Sequence, residues 1–281
     1  MTEITSIEQF YDIVNTYKSA FEKTITNCFF MPEEISVLIS QKRIFIKTYP
    51  EWLIIICKRD DYSNFYYYTT EDSSASCVKD FLHSFEGDNI YTDIVSRFGR
   101  GDLATPQKLI TADCAEKYKT YQRMQLSLKD IDPDSFNDIK LHDGYKLSLD
   151  YCDFNALTDL WKQTLDEKST PLPQKEELLQ LCETEKLLTV FSEDNELAVV
   201  VMLVASSKQG LIQHLAVANR HRRKGLAMYL MNAIILKGKQ NNLSAVKLWV
   251  DCNNSSAIAL YNQLNFKPDG MLCEQLYMKG K

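Results

Sequence analysis

The chain has 281 residues, of which 45% are hydrophobic, and its 32 Lys and Arg against 38 Asp and Glu give a net charge of −6. This negative balance argues against nucleic acid or an anionic membrane surface as the main partner. The length predicts two domains, each able to bury a core. No apolar run reaches the roughly 20 residues of a membrane span, so no membrane-embedded segment is expected.

The cysteines and histidines indicate the chemical setting. Eight cysteines occur without any Cys-x-x-Cys pair, and no cationic and then apolar leader follows Met1. This pattern is typical of a cytoplasmic protein whose thiols are reduced. The four histidines have no paired spacing, so no zinc site or other metal site is expected.

The first half of the chain is predicted to contain mostly strands. Runs of β-branched and aromatic residues predict the strands, and apolar residues at helical spacing predict the helices. In chain order the predicted elements are strands at 43–49, 52–58 and 64–70, a helix at 74–85, a strand at 89–96 and a helix at 113–126.

A polar segment separates the two halves. Residues 128–144 are rich in Asp, contain a proline and end on Asp-Gly, which is typical of a connection between domains. We therefore predict an N-terminal domain of residues 1–135 and a C-terminal domain of residues 136–281.

The second half alternates between strands and helices. A helix at 153–165 begins with a capping Asp, and the sequence STPLPQ separates it from a short helix at 175–185. The order predicts an α/β (α+β) fold with a mixed central sheet flanked by helices. The remaining predicted elements are strands at 145–149, 186–192, 196–206, 210–217, 245–251 and 271–278, and helices at 225–240 and 255–265.

A basic cluster lies between the strand at 210–217 and the helix that follows. Residues 219–225 read NRHRRKG, with four Arg and Lys side chains beside a glycine. A helix start carries unpaired backbone N–H groups and a partial positive charge, and both attract phosphate. Gly225 has no Cβ to keep a phosphate from the backbone, and Ala227 is nearly as small. The pattern predicts a diphosphate site; a basic loop without a ligand is the alternative.

Two motifs resemble those of the GNAT superfamily of acyl-coenzyme A (acyl-CoA) dependent N-acyltransferases. The first is LAV followed by RRKGLA at 222–227, and the second is Asn254, Ala257 and Tyr261 followed by Asn265-Phe266. The resemblance covers residues 145–281, and it implies acetyl-CoA or another acyl-CoA as co-substrate. The residues that it implies for the coenzyme are Leu215, Ala216, Val217, Arg222, Arg223, Lys224, Gly225, Leu226, Ala227, Asn254 and Ala257.

The resemblance also implies how the reacting groups are held. In the family the LAV strand bulges and separates from the next strand, so backbone groups near Leu215 and Val217 meet the pantetheine arm and the thioester carbonyl. Tyr261 is implied as the catalytic proton donor to the leaving thiolate, and Asn254 as a partner of the pantetheine. The alternatives are a half-buried tyrosine and a helix N-cap.

The general base is not evident. Family members often have Glu or His at the positions of Leu211 or Gln213, and neither of these side chains takes up a proton. His214 is one residue out of phase, so strand alternation predicts a packed histidine on the opposite face. Asp251 and Glu274 are candidates by exclusion; a water chain or an already neutral amine could also serve.

The first half repeats the element order of the second-half core without its basic loop. The sequence EDSSAS at 71–76 stands where Arg-x-x-Gly would be, and it is acidic and lacks glycine. We predict a duplicated acyltransferase-like domain that has lost coenzyme binding, similar in organisation to the two-part glycine N-acyltransferase-like proteins. An unrelated α+β domain is the alternative.

These features predict an enzyme, an acyl-CoA-dependent N-acyltransferase that transfers an acetyl or other short acyl group to a primary amine of a small molecule or peptide. A non-catalytic acyl-CoA sensor or interaction protein is the alternative, because the base is missing. The Gly-x-Gly-x-x-Gly and P-loop patterns of nucleotide-binding enzymes do not occur.

Overall fold

The computed structural model describes residues 1–30, 32–85, 89–97, 103–129, 131–132, 140–151, 153–173, 175–206 and 208–279. They form two compact units, the first comprising Met1–Tyr121 with Gly270–Lys281 and the second Gln122–Asp269. The boundary predicted after residue 135 lies outside the described residues. The two compact units divide at Tyr121 and again at Gly270, so the end of the chain belongs to the first unit.

The first unit is a mixed sheet with helices on its faces. Its elements begin with β1 (Thr2–Glu3), α1 (Ile7–Ser19), β2 (Ile25–Thr26), α2 (Pro32–Ser40), β3 (Ile44–Thr48), β4 (Trp52–Lys58) and β5 (Ser63–Thr69). They continue with α3 (Ser76–Ser84), β6 (Ile90–Arg97), α4 (Thr105–Leu109), the start of β7 (Glu116–Ser127) and most of β13 (Lys267–Met278). The strand order is β1-β3-β4-β5-β6-β13, and β2 pairs with β5.

Strand β4 lies in the interior of this sheet because it is apolar on both faces. Ile54 and Ile56 pack with residues of α3, whereas Leu53 and Ile55 pack with residues of α1 and α2. A strand that is covered on both sides has no need of polar alternation. This explains the uninterrupted run WLIIIC at 52–57.

The second unit is also a mixed sheet between helices. Its elements after β7 are β8 (Tyr145–Ser148), α5 (Phe154–Thr164), α6 (Lys175–Glu183), β9 (Leu187–Ser192), β10 (Leu197–Ser206) and β11 (Gln209–Val217). They continue with α7 (Leu226–Gln240), β12 (Ala245–Asp251) and α8 (Ser255–Gln263). The strand order is β7-β12-β11-β10-β9-β8.

Two apolar clusters cover the two faces of this second sheet. Leu230 and Ile234 of α7 pack with Val199 and Val201 of β10 on one face. On the other face, residues of α5 and α6 pack with the alternate residues of β10, among them Val200. The alternation along β10 therefore fixes which helix lies on which side.

The prediction of a helix at 113–126 is wrong, because Glu116–Ser127 forms strand β7. Its Glu, Lys, Gln and Met residues favour a helix when judged by intrinsic propensity. The buried side chains near its end, however, are Met124 and Leu126, which have the spacing of two that a strand requires. Sheet pairing and burial outweigh the propensity here.

The cysteines are mostly but not all reduced. Cys182 is disulfide-bonded, so the prediction of reduced thiols is wrong for this residue, and Cys152 lies outside the described residues. The cysteines that remain thiols are Cys28, Cys57, Cys77, Cys114, Cys252 and Cys273. Within the described part of the chain, no helix has both the length and the apolar character needed to span a membrane.

Candidate functional site

The turn between β11 and α7 is open to a ligand. A short 3-10 turn (Asn219–His221) follows β11, and α7 begins at Leu226 with Gly225 as its N-cap. Gly225 has φ +74°, a left-handed conformation that costs other residues roughly 1–2 kcal/mol. A Cβ at Gly225 would meet no atom of the described residues within 4 Å. The space beside the first turn of α7 is therefore accessible.

Three exposed cationic residues, Arg222, Arg223 and Lys224, precede Gly225. Arg222 Nε donates to the backbone oxygen of Val217 at 3.2 Å. Lys224 Nζ donates to the hydroxyl of Tyr145 at 2.9 Å and lies 5.5 Å from the centre of its ring. These contacts hold positive charge beside a helix N-terminus, whose dipole adds to it.

A hydrogen-bond network behind this turn escaped the sequence analysis. The Tyr145 hydroxyl lies 2.9 Å from His221 Nδ1, and His221 Nε2 lies 3.4 Å from Glu196 Oε2. Arg220 Nη1 donates to Glu196 Oε1 at 2.7 Å. The network ties the turn to β8 and to the start of β10. No motif marks it, because its members come from separate segments of the chain.

Strand β11 carries a bulge at His214. Val200 of β10 pairs with Ala216, whereas Met202 pairs with Gln213, so β11 contains one extra residue over this stretch. His214 has φ +53°, and such positive values are uncommon outside glycine. A bulge of this kind bends a strand and re-aims its side chains.

The bulge overturns the alternation argument for His214. On a regular strand Ile212 and Ala216 would share a face, but Ile212 packs in the cluster with α7 and Ala216 in the cluster with α5 and α6. Gln213 follows Ile212 and therefore faces the α5 side. The ring of His214 lies 5.2 Å from that of Trp161 on α5. The prediction that His214 faces the side opposite to Gln213 is wrong.

Trp161 and Pro171 hold the bulge in place. Trp161 Nε1 donates to the backbone oxygen of His214 at 2.9 Å, and His214 Nε2 lies 3.1 Å from the oxygen of Pro171. A carbonyl only accepts, so Nε2 carries the proton and Nδ1 is an acceptor. Nδ1 is buried and has no partner among the described residues. Burial lowers the pKa of His214 to about 4, so the ring is neutral at pH 7.

Strands β11 and β12 separate within the sheet. Their parallel pairs are Gln209↔Ala245, Gly210↔Val246 and Leu211↔Lys247. Over the described residues the pairing ends there, although both strands continue. The gap between residues 212–217 of β11 and residues 248–251 of β12 is called the wedge below. Leu215, Ala216 and Val217 lie in the part of β11 that borders the wedge.

The second sequence motif lies at the start of α8. The Oδ1 atom of Asn254 accepts a hydrogen bond from the backbone nitrogen of Ala257 at 3.1 Å, which confirms the N-cap alternative. Tyr261 is 8% exposed, and its ring lies 5.9 Å from that of Phe266. Desolvation raises the pKa of Tyr261 to about 12. The phenol therefore stays protonated and can serve as a donor.

The other candidate bases, Asp251 and Glu274, lie in different units. Leu211 and Gln213, which occupy the positions where the family often has a base, are half-buried. Asp251 Oδ1 accepts from the backbone nitrogen of Asn253 at 2.9 Å, so this carboxylate shapes the turn into α8. Glu274 belongs to the first unit. Among the described residues, no group of three or more His, Cys, Asp or Glu is placed to hold a metal ion.

The predicted coenzyme residues fall into three groups in the second unit. Leu215, Ala216 and Val217 end β11, residues 222–227 form the turn and the first residues of α7, and Asn254 and Ala257 begin α8. The structure thus places the wedge and the turn at the end of one strand. Leu226, within the turn group, is 2% exposed, so its side chain is not available to a ligand.

Comparisons with known proteins find a family match over the part of the chain that contains β11, the turn, α7 and α8. Residues 154–266 match the model of the acetyltransferase (GNAT) family. The fold is similar to that of the GCN5-related N-acetyltransferase from Sphaerobacter thermophilus, with 12% identity, a TM-score of 0.59, and coverage of 89% of this chain and 85% of that one. No curated protein matches the sequence.

Two further solved structures share the fold over both units. A tandem GNAT protein from the clavulanic acid biosynthesis pathway has 13% identity and a TM-score of 0.59, covering 82% of this chain and 79% of that one. An acetyltransferase from the GNAT family of Colwellia psychrerythraea has 11% identity and a TM-score of 0.56, covering 100% of this chain and 99% of that one. At these identities the likeness shows the fold alone.

Proposed function

With the match of residues 154–266 to the acetyltransferase (GNAT) family as the premise, we propose that the chain transfers an acetyl or other short acyl group from acyl-CoA to a primary amine. The acceptor is a small molecule or a peptide. The observation that carries this proposal is the left-handed Gly225 at the start of α7, with open space where its Cβ would be.

The turn before α7 binds the diphosphate of acyl-CoA in this proposal. Backbone N–H groups from Lys224 to Ala227 donate to its oxygens, since the first turn of a helix leaves these donors unpaired. Arg222 and Arg223 are exposed beside them and add charge-assisted hydrogen bonds. The diphosphate needs close approach to the backbone, which Gly225 permits.

The wedge holds the pantetheine arm and the thioester. Backbone groups of Leu215 and Val217 bind this arm, and the bulge at His214 directs a backbone N–H at the thioester carbonyl oxygen. The Nδ2 amide of Asn254 meets the pantetheine while its Oδ1 caps α8. Preorganised donors of this kind stabilise the oxyanion that develops during acyl transfer.

The transfer itself needs one bond formed and one broken. The amine nitrogen bonds to the carbonyl carbon, the carbon–sulfur bond breaks, and its electron pair stays on sulfur. Tyr261 donates its phenolic proton to this thiolate and regains one from solvent. The surplus proton of the amine passes to water, since neither Leu211 nor Gln213 can accept it.

A matched pair of glycine variants tests the diphosphate site. Gly225 and Gly144 both have positive φ, +74° and +84°, and a Cβ at Gly144 would make only ordinary contact with Glu193. Gly225→Ala and Gly144→Ala should each lose roughly 1–2 kcal/mol of folding free energy. Only Gly225→Ala places a methyl group where the diphosphate binds, so calorimetry should show CoA affinity at least about tenfold lower. Equal affinities in the two variants would contradict the assignment.

A non-catalytic acyl-CoA-binding protein is the second candidate. The observation that favours it is the pair Leu211 and Gln213, which cannot act as bases. The enzyme and the non-catalytic protein can be distinguished by measuring the free thiol released from acetyl-CoA in the presence of a panel of amines, amino acids and peptides. Product with any acceptor supports the enzyme, whereas CoA binding without product across the panel supports the second candidate.

A further inference from the structure

The two units repeat one arrangement of strands around a helix. In the second unit β9, β10 and β11 are antiparallel, and α7 then leads to β12, which is parallel to β11. In the first unit β3, β4 and β5 are antiparallel, and α3 then leads to β6, which is parallel to β5. By position, β5 corresponds to β11 and β6 corresponds to β12.

The parallel pairing in the first unit is also short. Strands β5 and β6 pair at Ser63↔Ile90 and at Asn64↔Tyr91, and over the described residues the pairing goes no further. Residues 65–69 of β5 and 92–97 of β6 therefore border a gap that corresponds to the wedge of the second unit. We call this gap the first-unit wedge.

The side chain of Asn27 occupies the first-unit wedge. Its Nδ2 donates to the backbone oxygens of Phe65 and Asp93, at 3.3 and 3.1 Å, and lies 2.9 Å from Thr92 Oγ1. Its Oδ1 accepts from the backbone nitrogen of Tyr67 at 2.9 Å. One buried amide side chain thus joins the two strands.

The segment around Asn27 closes the rest of the gap. Strand β2 pairs with the far half of β5, through Ile25↔Thr69 and Thr26↔Tyr68. Thr26 Oγ1 donates to the backbone oxygen of Tyr67 at 2.6 Å. The backbone of β5 that would face a ligand is therefore already hydrogen-bonded to the chain's own residues.

The start of α3 lacks the features of the turn before α7. Its N-cap is Ala75 with φ −87°, where the second unit has a left-handed glycine. Glu71 and Asp72 are exposed in the preceding loop, and Glu71 pairs with Lys23. Negative charge at this place repels a diphosphate.

We infer that the first unit carries a second acyl-CoA slot that is filled by the chain's own Asn27, so that one chain binds one acyl-CoA. The amide of Asn27 supplies the donor and acceptor that a pantetheine amide would bring. The filled slot makes the first unit a closed scaffold rather than a second catalytic centre. This inference rests on the proposed function, because the proposed function identifies acyl-CoA as the ligand.

Binding stoichiometry is the first test. Calorimetric titration of the full chain with acetyl-CoA should give one site, and Gly225→Asp should remove all binding because it adds bulk and negative charge at the diphosphate. Two sites, or one site remaining in Gly225→Asp, overturn the inference. No binding to the wild-type chain overturns the proposed function instead, and the filled slot is then judged by the test that follows.

Amide hydrogen exchange at Tyr67 tests the filling directly. In the wild-type chain acetyl-CoA should slow exchange at residues 224–227 and leave Tyr67 unchanged, whereas slowing at Tyr67 overturns the inference. In Asn27→Ala the Tyr67 amide loses its acceptor, so its exchange should accelerate about tenfold or more. Asn64→Ala, which removes another buried asparagine of β5, should leave Tyr67 unchanged. Equal exchange in the wild type and Asn27→Ala overturns the inference.

Discussion

At His214 the backbone conformation, the tautomer and the protonation state are all fixed by neighbours. Trp161 binds its carbonyl, and Pro171 accepts from its Nε2. Because the ring is buried, the imidazolium form is disfavoured, and the pKa falls to about 4 from its usual 6.5. The residue therefore contributes to stability in a way that depends on pH.

The stability of the second unit should fall as the pH falls from 6.5 to 4. In this window the unfolded chain binds a proton at His214 and the folded chain does not, which favours unfolding. The loss from this residue is on the order of 3 kcal/mol over the whole window. Urea unfolding at pH 7 and at pH 5 should show a smaller loss in His214→Gln than in the wild type. The same pH dependence in both proteins would contradict this reading.

Tyr261 is expected to act in turnover rather than in binding. Tyr261→Phe keeps the buried ring and removes the proton donor, so the acylation rate should fall by roughly 100-fold or more. The affinity for acetyl-CoA, measured by calorimetry, should stay near that of the wild type. Tyr151→Phe changes a half-buried tyrosine that packs on Phe191, and it should leave the rate unchanged. An unchanged rate in Tyr261→Phe removes its role as the acid.

The role of a residue can be predicted from the sequence when the residues that it acts with are its neighbours in the chain. Gly225 and the basic residues before it are contiguous, so the sequence alone marks the turn. Tyr145, His221 and Glu196 lie far apart in the chain, and only the fold brings them together. The face on which His214 lies depends on one extra residue in β11, which the periodicity of the sequence does not show.

At the scale of elements, the contact between α5 and the bulge of β11 should control acyl transfer. Trp161→Phe keeps an aromatic ring and removes the hydrogen bond to His214, so the bulge shifts relative to the thioester. Misplacement by about 1 Å can cost roughly 100-fold in rate. We expect the rate of transfer to fall much more than the affinity for CoA, since the diphosphate binds at the turn and not at the bulge.

Trp52→Phe provides the matched control for this variant. Trp52 is 1% exposed, and its Nε1 donates to the backbone oxygen of Ser74 at 2.8 Å. Both variants should therefore lose similar folding free energy, measured by urea unfolding. Only Trp161→Phe should slow acyl transfer. Equal rates of acyl transfer in the two variants would contradict the proposal that the bulge positions the thioester.

Helices and strands that the local sequence marks clearly can be predicted from the sequence. Strands that form only by pairing with distant strands cannot. Helix α7 and strand β12 lie within a residue of their predicted bounds, because a glycine and a β-branched run mark them. Strand β7 was predicted as a helix, since its composition favours a helix and its partner strands are distant in sequence. Helices α1 and α2 were not predicted at all.

At the scale of the whole molecule, the last strand belongs to the first unit. Residues of β13 pair with β6 from Met271↔Arg97 to Met278↔Ile90, and Leu276 is 1% exposed in the cluster with α3. Chain order alone predicts this strand in the second half. Sequence proximity alone does not say which sheet a terminal strand joins.

A pair of leucine variants tests this assignment. Leu276→Ala should cost roughly 2–5 kcal/mol through its cavity and accelerate hydrogen exchange in residues 44–97. Leu248→Ala, at a site 2% exposed in β12, should cost a similar amount and accelerate exchange in residues 187–251 instead. Faster exchange in 187–251 for Leu276→Ala, with 44–97 unchanged, would contradict the division.

The structure of the protein with acyl-CoA bound tests the central claim most directly. We predict diphosphate oxygens at hydrogen-bond distance, roughly 2.7–3.2 Å, from backbone nitrogens at the start of α7 beside Gly225. We also predict the pantetheine arm in the wedge between β11 and β12. A diphosphate bound at any other place, such as the start of α3, would contradict the account.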